Sequence, residues 1–253
     1  MHDARRTFIP LMATLALLVA WQLAVMLGLV PNFLLPSPTQ VVVALVEDAS
    51  LLVSHSAATL LEAFLGLLVG CAVGFVVAVL MDRFEAVGLA LDPLVTLSQT
   101  IPTVAIAPLL VLWFGYGLAP KVVLVIISTF FPITVSLVSG FRSADADMID
   151  LMRTMNAGNW QIFWQVKIPA AAEQFFGGLR ISATYAIVGA VIAEWLGGFS
   201  GLGVYMTRVR KSFSYDRMFA VILLISALSL ALMGVVDVLR RVAMPWKRAE
   251  RKR

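Results

Sequence analysis

The sequence predicts an all-α integral membrane protein with six transmembrane helices. Three observations predict it. Of 253 residues, 60% are hydrophobic and 13% charged, where a soluble domain averages roughly 45–50% apolar and about 25% charged. The apolar residues fall in long runs, and mean hydropathy is +0.93. The lysines and arginines are shared unequally between alternate loops. Six spans of about 20 residues use roughly 120 residues, so the whole chain, 1–253, reads as one membrane domain. The spans fall at about 8–30, 57–81, 89–114, 119–140, 177–196 and 217–240.

Span 1 follows Arg5 and Arg6 and runs from Thr7 to Val30. That is longer than the about 7–15 apolar residues of a signal peptide, and Pro31-Asn32-Phe33 follows directly, so it reads as a retained span. The segment Leu35-Pro36-Ser37-Pro38 is held extended by its prolines. Thr39 is then placed to cap a short interfacial helix over 40–48. Span 2 carries Gly66, Gly70 and Gly74, one face at four-residue spacing, which lets another backbone approach closely in lipid. Gly178, Ser182, Ala186 and Ala190 give span 5 a second such face.

Span 3 contains Pro93, Pro102 and Pro108. Each proline removes a backbone donor and bends its helix, and carbonyls freed at membrane depth must face protein or water. Gln99, Thr100 and Thr103 cluster around Pro102. They favour a pathway lining over a purely structural kink. With Ser128, Thr129 and Ser136 in span 4 and Thr184, Tyr185 and Glu194 in span 5 they make up the candidate translocation pathway. Glu194 and Glu62, near the outer ends of their spans, read equally as interfacial charges, which is the preferred reading of Glu194. Gly115-Tyr116-Gly117 reads as a tight external turn.

Net charge is +4, and its distribution speaks for topology rather than nucleic-acid binding. With the N-terminus cytoplasmic, 14 of the 19 lysines and arginines lie inside: Arg5, Arg6, Arg83, Arg142, Arg153, Lys167, Arg180, Arg240, Arg241 and the five of the tail. Outside are Lys121, Arg208, Arg210, Lys211 and Arg217. Four of these five share one segment, best read as an amphipathic helix that snorkels its cations, although the same charges also suit an anionic solute or acidic partner. The lone Cys71 forms no internal disulfide. With only His2 and His55 there is almost no material for a His-based metal site or a Ser–His pair, and an intramembrane enzyme is disfavoured. A channel or secondary transporter usually carries paired mid-membrane charges, where these spans hold hydroxyls, amides and prolines.

One loop, 141–175, is long without a disordered composition. Asp145 to Met155 reads as a helix, acidic at its start as the helix dipole favours, with Met148, Met152 and Met155 on one face. Asn156-Ala157-Gly158 breaks it, and a second helix, Trp160 to Lys167, gathers Trp160, Phe163 and Trp164. Such apolar surface on a loop marks a protein partner or packs back on the chain itself. Asp150-Leu151-Met152-Arg153-Thr154-Met155-Asn156, followed by Val166-Lys167-Ile168-Pro169, resembles the Glu-Ala-Ala loop of bacterial ABC importer permeases. Asp150 stands at the Glu, Asn156 at the Gly, Val166 at the Ile and Ile168-Pro169 at the Leu-Pro; Leu151 and Met152 replace the alanines. Leu35-Pro36-Ser37-Pro38, Asp92-Pro93-Leu94, Pro108 to Gly115 and Ser200-Gly201-Leu202-Gly203 resemble the nitrate, sulfonate and taurine permease group, over about residues 30–245.

The resemblance implies a type I ABC importer permease fold, in which the loop is a coupling helix docking on a cytoplasmic ATPase. Its coupling residues map to Asp150, Arg153, Asn156, Ala157, Gly158, Trp160 and Phe163. It implies two ATPase subunits, a second permease chain forming a homodimer, and an extracytoplasmic solute-binding protein. The setting is a bacterial inner membrane, with both termini cytoplasmic. No lysine here sits in a G-x-x-x-x-G-K-[ST] phosphate loop, so no cofactor is expected on this chain, and ATP and Mg belong to the partner. Glu194-Trp195-Leu196-Gly197-Gly198 and Arg210 to Phe213 resemble the members that carry pyrimidine and vitamin precursors more than those for sulfonates.

Overall fold

The computed structural model describes residues 2–245. The tail cations Lys247, Arg248, Arg251, Lys252 and Arg253 lie outside the described residues, as do the side chains of Arg5 and Arg6. The described residues form helices joined by short turns. They are α1 (His2–Met26), α2 (Pro38–Glu47), α3 (Ala49–Arg83), α4 (Glu85–Ser98), α5 (Thr103–Phe114), α6 (Leu118–Arg142), α7 (Ala146–Thr154), α8 (Asn159–Ile162), α9 (Ile168–Leu196), α10 (Leu202–Lys211) and α11 (Tyr215–Ala243). Five helices, α1, α3, α6, α9 and α11, are individually long and apolar enough to cross a bilayer, and a bent α4–α5 pair makes six.

The centre is a three-helix plate with α6 between α3 and α9. The glycine face of α3 seats on α6, where a Cβ on Gly66 would strike Val125, one on Gly70 would strike Thr129 and one on Gly74 would press on Ile133. On the other side Gly178 lies against Ser136 and the Pro132 carbonyl, and Gly189 against Ser128. Ser182 Oγ donates to the Thr129 carbonyl at 2.8 Å, a hydrogen bond between helix backbones brought together by small residues. Ala63, Val125, Ile133, Ala183, Ala186, Ile187 and Ala190 fill the plate and are fully buried.

Three expectations change here. Span 3 is broken, not kinked: α4 and α5 meet at 98° across residues 99–102. Pro102 has no N–H to continue the helix and biases Ile101 away from helical geometry. The hydroxyls of Ser98 and Thr100 bond back to the Val95 and Leu97 carbonyls near the break. Second, the cap of α2 is Ser37 rather than Thr39. Ser37 Oγ accepts from the Gln40 N–H while Gln40 Oε1 accepts from the Ser37 N–H at 2.8 Å, and Pro38 takes the first helical position. Third, the inter-span loop is shorter than 141–175, because α6 continues to Arg142 and α9 already begins at Ile168.

Gly70→Leu is expected to destabilise the bundle by about 1–3 kcal/mol, the usual cost of overpacking. Thermal unfolding of purified protein in detergent measures it, and an unchanged midpoint would mean that α3 and α6 are free to separate.

Candidate functional site: a broken-helix cavity with a braced loop at one end and a buried polar lock at the other

Between the α4–α5 break, α6 and α9 lies a cavity of about 520 Å³. Its polar lining is Ser98, Gln99, Thr103, Ser128, Ser136 and Tyr185, set among Ile127, Phe131, Val135, Ile181, Val188 and Ile192. No side chain lining it carries a charge. The break explains the site, since it turns Gln99 and Thr103 toward α6 and α9, where Gly189 leaves room.

Of the candidate pathway residues, Gln99, Thr103, Ser128, Ser136 and Tyr185 line this cavity. Thr100 sits at the break with its hydroxyl on the Leu97 carbonyl and is outside the lining. Thr129 is buried between α3 and α6 beside Gly70 and bonds the Val125 carbonyl. Thr184 is half-buried on α9, away from the lining.

Glu194 corrects the reading of an interfacial charge. It is 1% exposed and outside the cavity lining, and both its oxygens are engaged. Oε1 accepts from the Thr59 hydroxyl at 2.7 Å and Oε2 from the Gly203 N–H at 2.6 Å. Thr59 Oγ1 in turn accepts from the Leu202 N–H, and His55 Nδ1 from the Gly201 N–H, both at 2.9 Å. Three successive donors at the start of α10 are therefore satisfied by side chains of α3 and α9, not by their own segment. Gly201 adopts φ +120°, and a Cβ there would collide with the Glu194 carboxylate. Beside this set, Lys121 Nζ donates to Glu62 Oε1 at 2.6 Å and to the Ser200 carbonyl at 3.3 Å. Glu62 is thus a buried ion-pair partner and Lys121 is no surface charge, both being under 5% exposed.

The expected amphipathic helix is α10, which buries Leu202, Tyr205 and Val209 and turns Arg208, Arg210 and Lys211 outward, whereas Arg217 falls on α11. Tyr205 donates to Asp48 Oδ2 at 2.5 Å, and Arg217 pairs with the same carboxylate at 3.2 Å. Burial and the facing Asp48 carboxylate raise the Tyr205 phenol above its ordinary range.

At the opposite end, the 143–167 segment is ordered by its own hydrogen bonds. Asp145 caps α7 through the Asp147 N–H, and Arg153 pairs with Asp150 at 3.1 Å on the exposed face. α7 ends in a Schellman motif. Asn156 takes φ +61°, its N–H bonds the Arg153 carbonyl, and the Ala157 N–H bonds the Met152 carbonyl. Asn is among the few residues that tolerate this left-handed conformation. The Gly158 N–H is taken by Gln161 Oε1 at 2.9 Å. The second helix departs from the expected regular run to Lys167, because after α8 residues Phe163–Lys167 form a π-turn. Pro169 follows one residue later, and it offers no N–H and crowds the carbonyl four residues back, which a wider turn relieves.

Phe163 is buried on Phe141 of α6, ring centroids 5.4 Å apart. Trp160 also stacks on Phe163, at 5.9 Å, while remaining 68% exposed. Lys167 Nζ bonds both oxygens of Asp82 at 2.7 and 2.9 Å, tying the start of α9 to the end of α3. Met148, Leu151, Met155, Trp160 and Trp164 are all exposed on this rigid protrusion. Such a patch marks an interaction site.

Comparison with known proteins decides the family. Residues 66–243 match the family described as binding-protein-dependent transport system inner membrane component. The chain belongs to that family. It is 40% identical over 228 residues to a probable ABC transporter permease of Haemophilus influenzae, covering 90% of this chain and 93% of that one. It is 36% identical to the formylaminopyrimidine transport permease of Halalkalibacterium halodurans, covering 95% and 96%. To the taurine transport permease of Escherichia coli identity is 29%, over 91% and 86%. Two solved structures share the fold: an amino acid ABC transporter at TM-score 0.62 and 17% identity, covering 79% of this chain and 95% of that one, and the methionine ABC transporter at 0.61 and 19%, covering 74% and 91%. The chain is therefore a multi-pass ABC importer permease and not an enzyme. Its family works with a separate ATPase chain and a solute-binding protein.

Asn156→Gly is expected to leave the loop as stable as the parent, because glycine accepts the same backbone conformation. Asn156→Val is expected to cost about 1–2 kcal/mol, the penalty of a left-handed residue with a bulky side chain. Hydrogen exchange of the Asn156 and Ala157 amides reads both.

Proposed function

We propose that this permease forms the translocation pathway of an importer for a small, uncharged, pyrimidine-type solute. The observation that carries the proposal is the uncharged cavity of hydroxyl, amide, phenol and apolar groups at the α4–α5 break. A sulfonate or nitrate ion held there would lose its hydration with no cation to replace it, whereas a flat neutral ring finds hydrogen-bond partners and the faces of Phe131 and Tyr185. The similarity to the formylaminopyrimidine permease, at 36%, against 29% for the taurine and Bacillus subtilis aliphatic sulfonate permeases, supports the same choice.

Two copies of the chain enclose the pathway and two ATPase subunits supply the energy, with ATP and Mg held on those subunits. The α7–α8 protrusion is the coupling segment, on the cytoplasmic side with both termini, in a bacterial inner membrane. Exposed Trp160 and the methionine face dock on the ATPase. Asp150 and Arg153 pair on the exposed surface, and Asn156, Ala157 and Gly158 shape the turn between the two helices. Phe163 carries displacement of the loop to α6. The bias of positive charge toward this side supports the orientation.

Uptake by the reconstituted transporter with its cognate binding protein tests the solute class. A formylaminopyrimidine is expected to compete, while taurine, alkanesulfonates and nitrate are not; competition by the anions alone would reverse the assignment. Trp160→Ala is expected to weaken ATPase docking by roughly 10–100-fold, as loss of an interface aromatic does, and Asp150→Lys to uncouple hydrolysis from uptake. Both variants should still reach the membrane. Wild-type uptake and stimulated ATPase in both would show that the protrusion does not couple.

A further inference from the structure

The polar lock at the α10 end belongs neither to the cavity nor to the coupling loop. It spans two of the three plate helices. His55 and Thr59 lie on α3 and Glu194 on α9, and between them they take the N–H groups of Gly201, Leu202 and Gly203. A helix can be capped by its own preceding residues, and most are. Here the preceding residues are Ser200 and Gly201, and Gly201 has no side chain to do it. The first N–H groups of α10 are therefore held by α3 and α9 together, beside the packing of Leu202, Tyr205 and Val209 on Leu52 and Val221.

The same two helices are tied at the cytoplasmic end by Lys167 and Asp82. Between the ties α9 is one uninterrupted helix of 29 residues, about 43 Å at 1.5 Å per residue. A displacement of the coupling segment thus reaches Glu194 through a rod with no hinge. We propose that Glu194, with Thr59 and His55, is a positioning residue that makes α10 move as one body with the α3–α6–α9 plate. Through it the state of the coupling segment sets the pose of the outer surface carrying Arg208, Arg210 and Lys211. The inference rests on the importer reading and on the orientation proposed with it.

The test uses the complete transporter in nanodiscs, and compares parent, Glu194→Gln, Thr59→Val and Thr59→Ser. Glutamine keeps the size and one acceptor but presents an N–H₂ to the Thr59 hydroxyl. Valine removes both the donor to Glu194 and the acceptor for Leu202, and serine retains both. Two quantities are read: hydrogen exchange of the α10 amides, and ATPase activity with and without loaded binding protein. In Glu194→Gln and Thr59→Val, exchange at the start of α10 is expected to rise roughly tenfold, the effect of losing one charged or buried hydrogen bond. Protection in α9 and basal ATPase should stay near the parent while stimulation by binding protein is lost. Thr59→Ser should restore both.

Parent-like stimulation in Glu194→Gln, or loosened α10 with full stimulation, overturns the proposal. Should Glu194→Gln not assemble, Thr59→Val is judged by the same two readings and decides. A parent transporter that binding protein does not stimulate would instead refute the importer reading itself.

Discussion

The close contact of α6 with α3 and α9 is the constraint on which the remaining structure depends. In a bilayer, apolar side chains gain nothing from leaving lipid for a neighbouring helix, so association must come from packing and from hydrogen bonds made possible by proximity. Gly66, Gly70 and Gly74 on one side and Gly178, Ser182 and Gly189 on the other bring the backbones near enough for both. The bond from Ser182 to the Thr129 carbonyl exists only at that separation. Thr129 then has its own hydroxyl on the Val125 carbonyl. That is why a residue polar enough to suggest a pathway serves as packing instead.

A plate held so closely also fixes where polar groups are permitted. The ion pairs that join one plate helix to another lie at its two ends. Lys167 with Asp82 forms one, and Glu62 with Lys121, beside the Glu194 bonds to Thr59 and the Gly203 N–H, forms the other. Burying these carboxylates without partners would cost far more than the packing returns. The middle of the plate carries small residues, aliphatics, phenylalanines and hydroxyls that bond within or between helices. The cavity follows from the same division, since its polarity comes from hydroxyl, amide and phenol groups.

Much of this was legible in the sequence because it is periodic. The glycine faces, a bend around Pro102 though not the full break, the turn at Asn156 and the aromatic group of the loop all follow from spacing and residue type. The lock was not read, although its signal was there. His55, Thr59 and Glu62 continue, at three- and four-residue steps, the face that carries Gly66, Gly70 and Gly74. A histidine, a hydroxyl and a carboxylate on the packing face of a span point to buried partners, whereas each taken singly looks like an interfacial residue. Glu194 is hidden for a different reason. Its partners are one backbone amide nine residues on and a threonine 135 positions away, and no local pattern encodes that. The π-turn was equally hidden, because Pro169 predicts a disturbance but not its form.

The closely packed plate contrasts with the lightly packed wall across the cavity from it. α3 and α6 each bury many residues along their lengths, whereas α4 buries only Gly88 and Val95 and α5 only Ala107 and Leu110. The 98° break lies between these two lightly packed helices and against the cavity. An access change needs a boundary between a body that keeps its shape and a wall that does not. Here the boundary runs through the cavity itself: Ser128, Ser136 and Tyr185 belong to the fixed plate, and Gln99 and Thr103 to the wall. A solute bound across it would feel any displacement of the wall directly, because its hydrogen-bond partners sit on both sides.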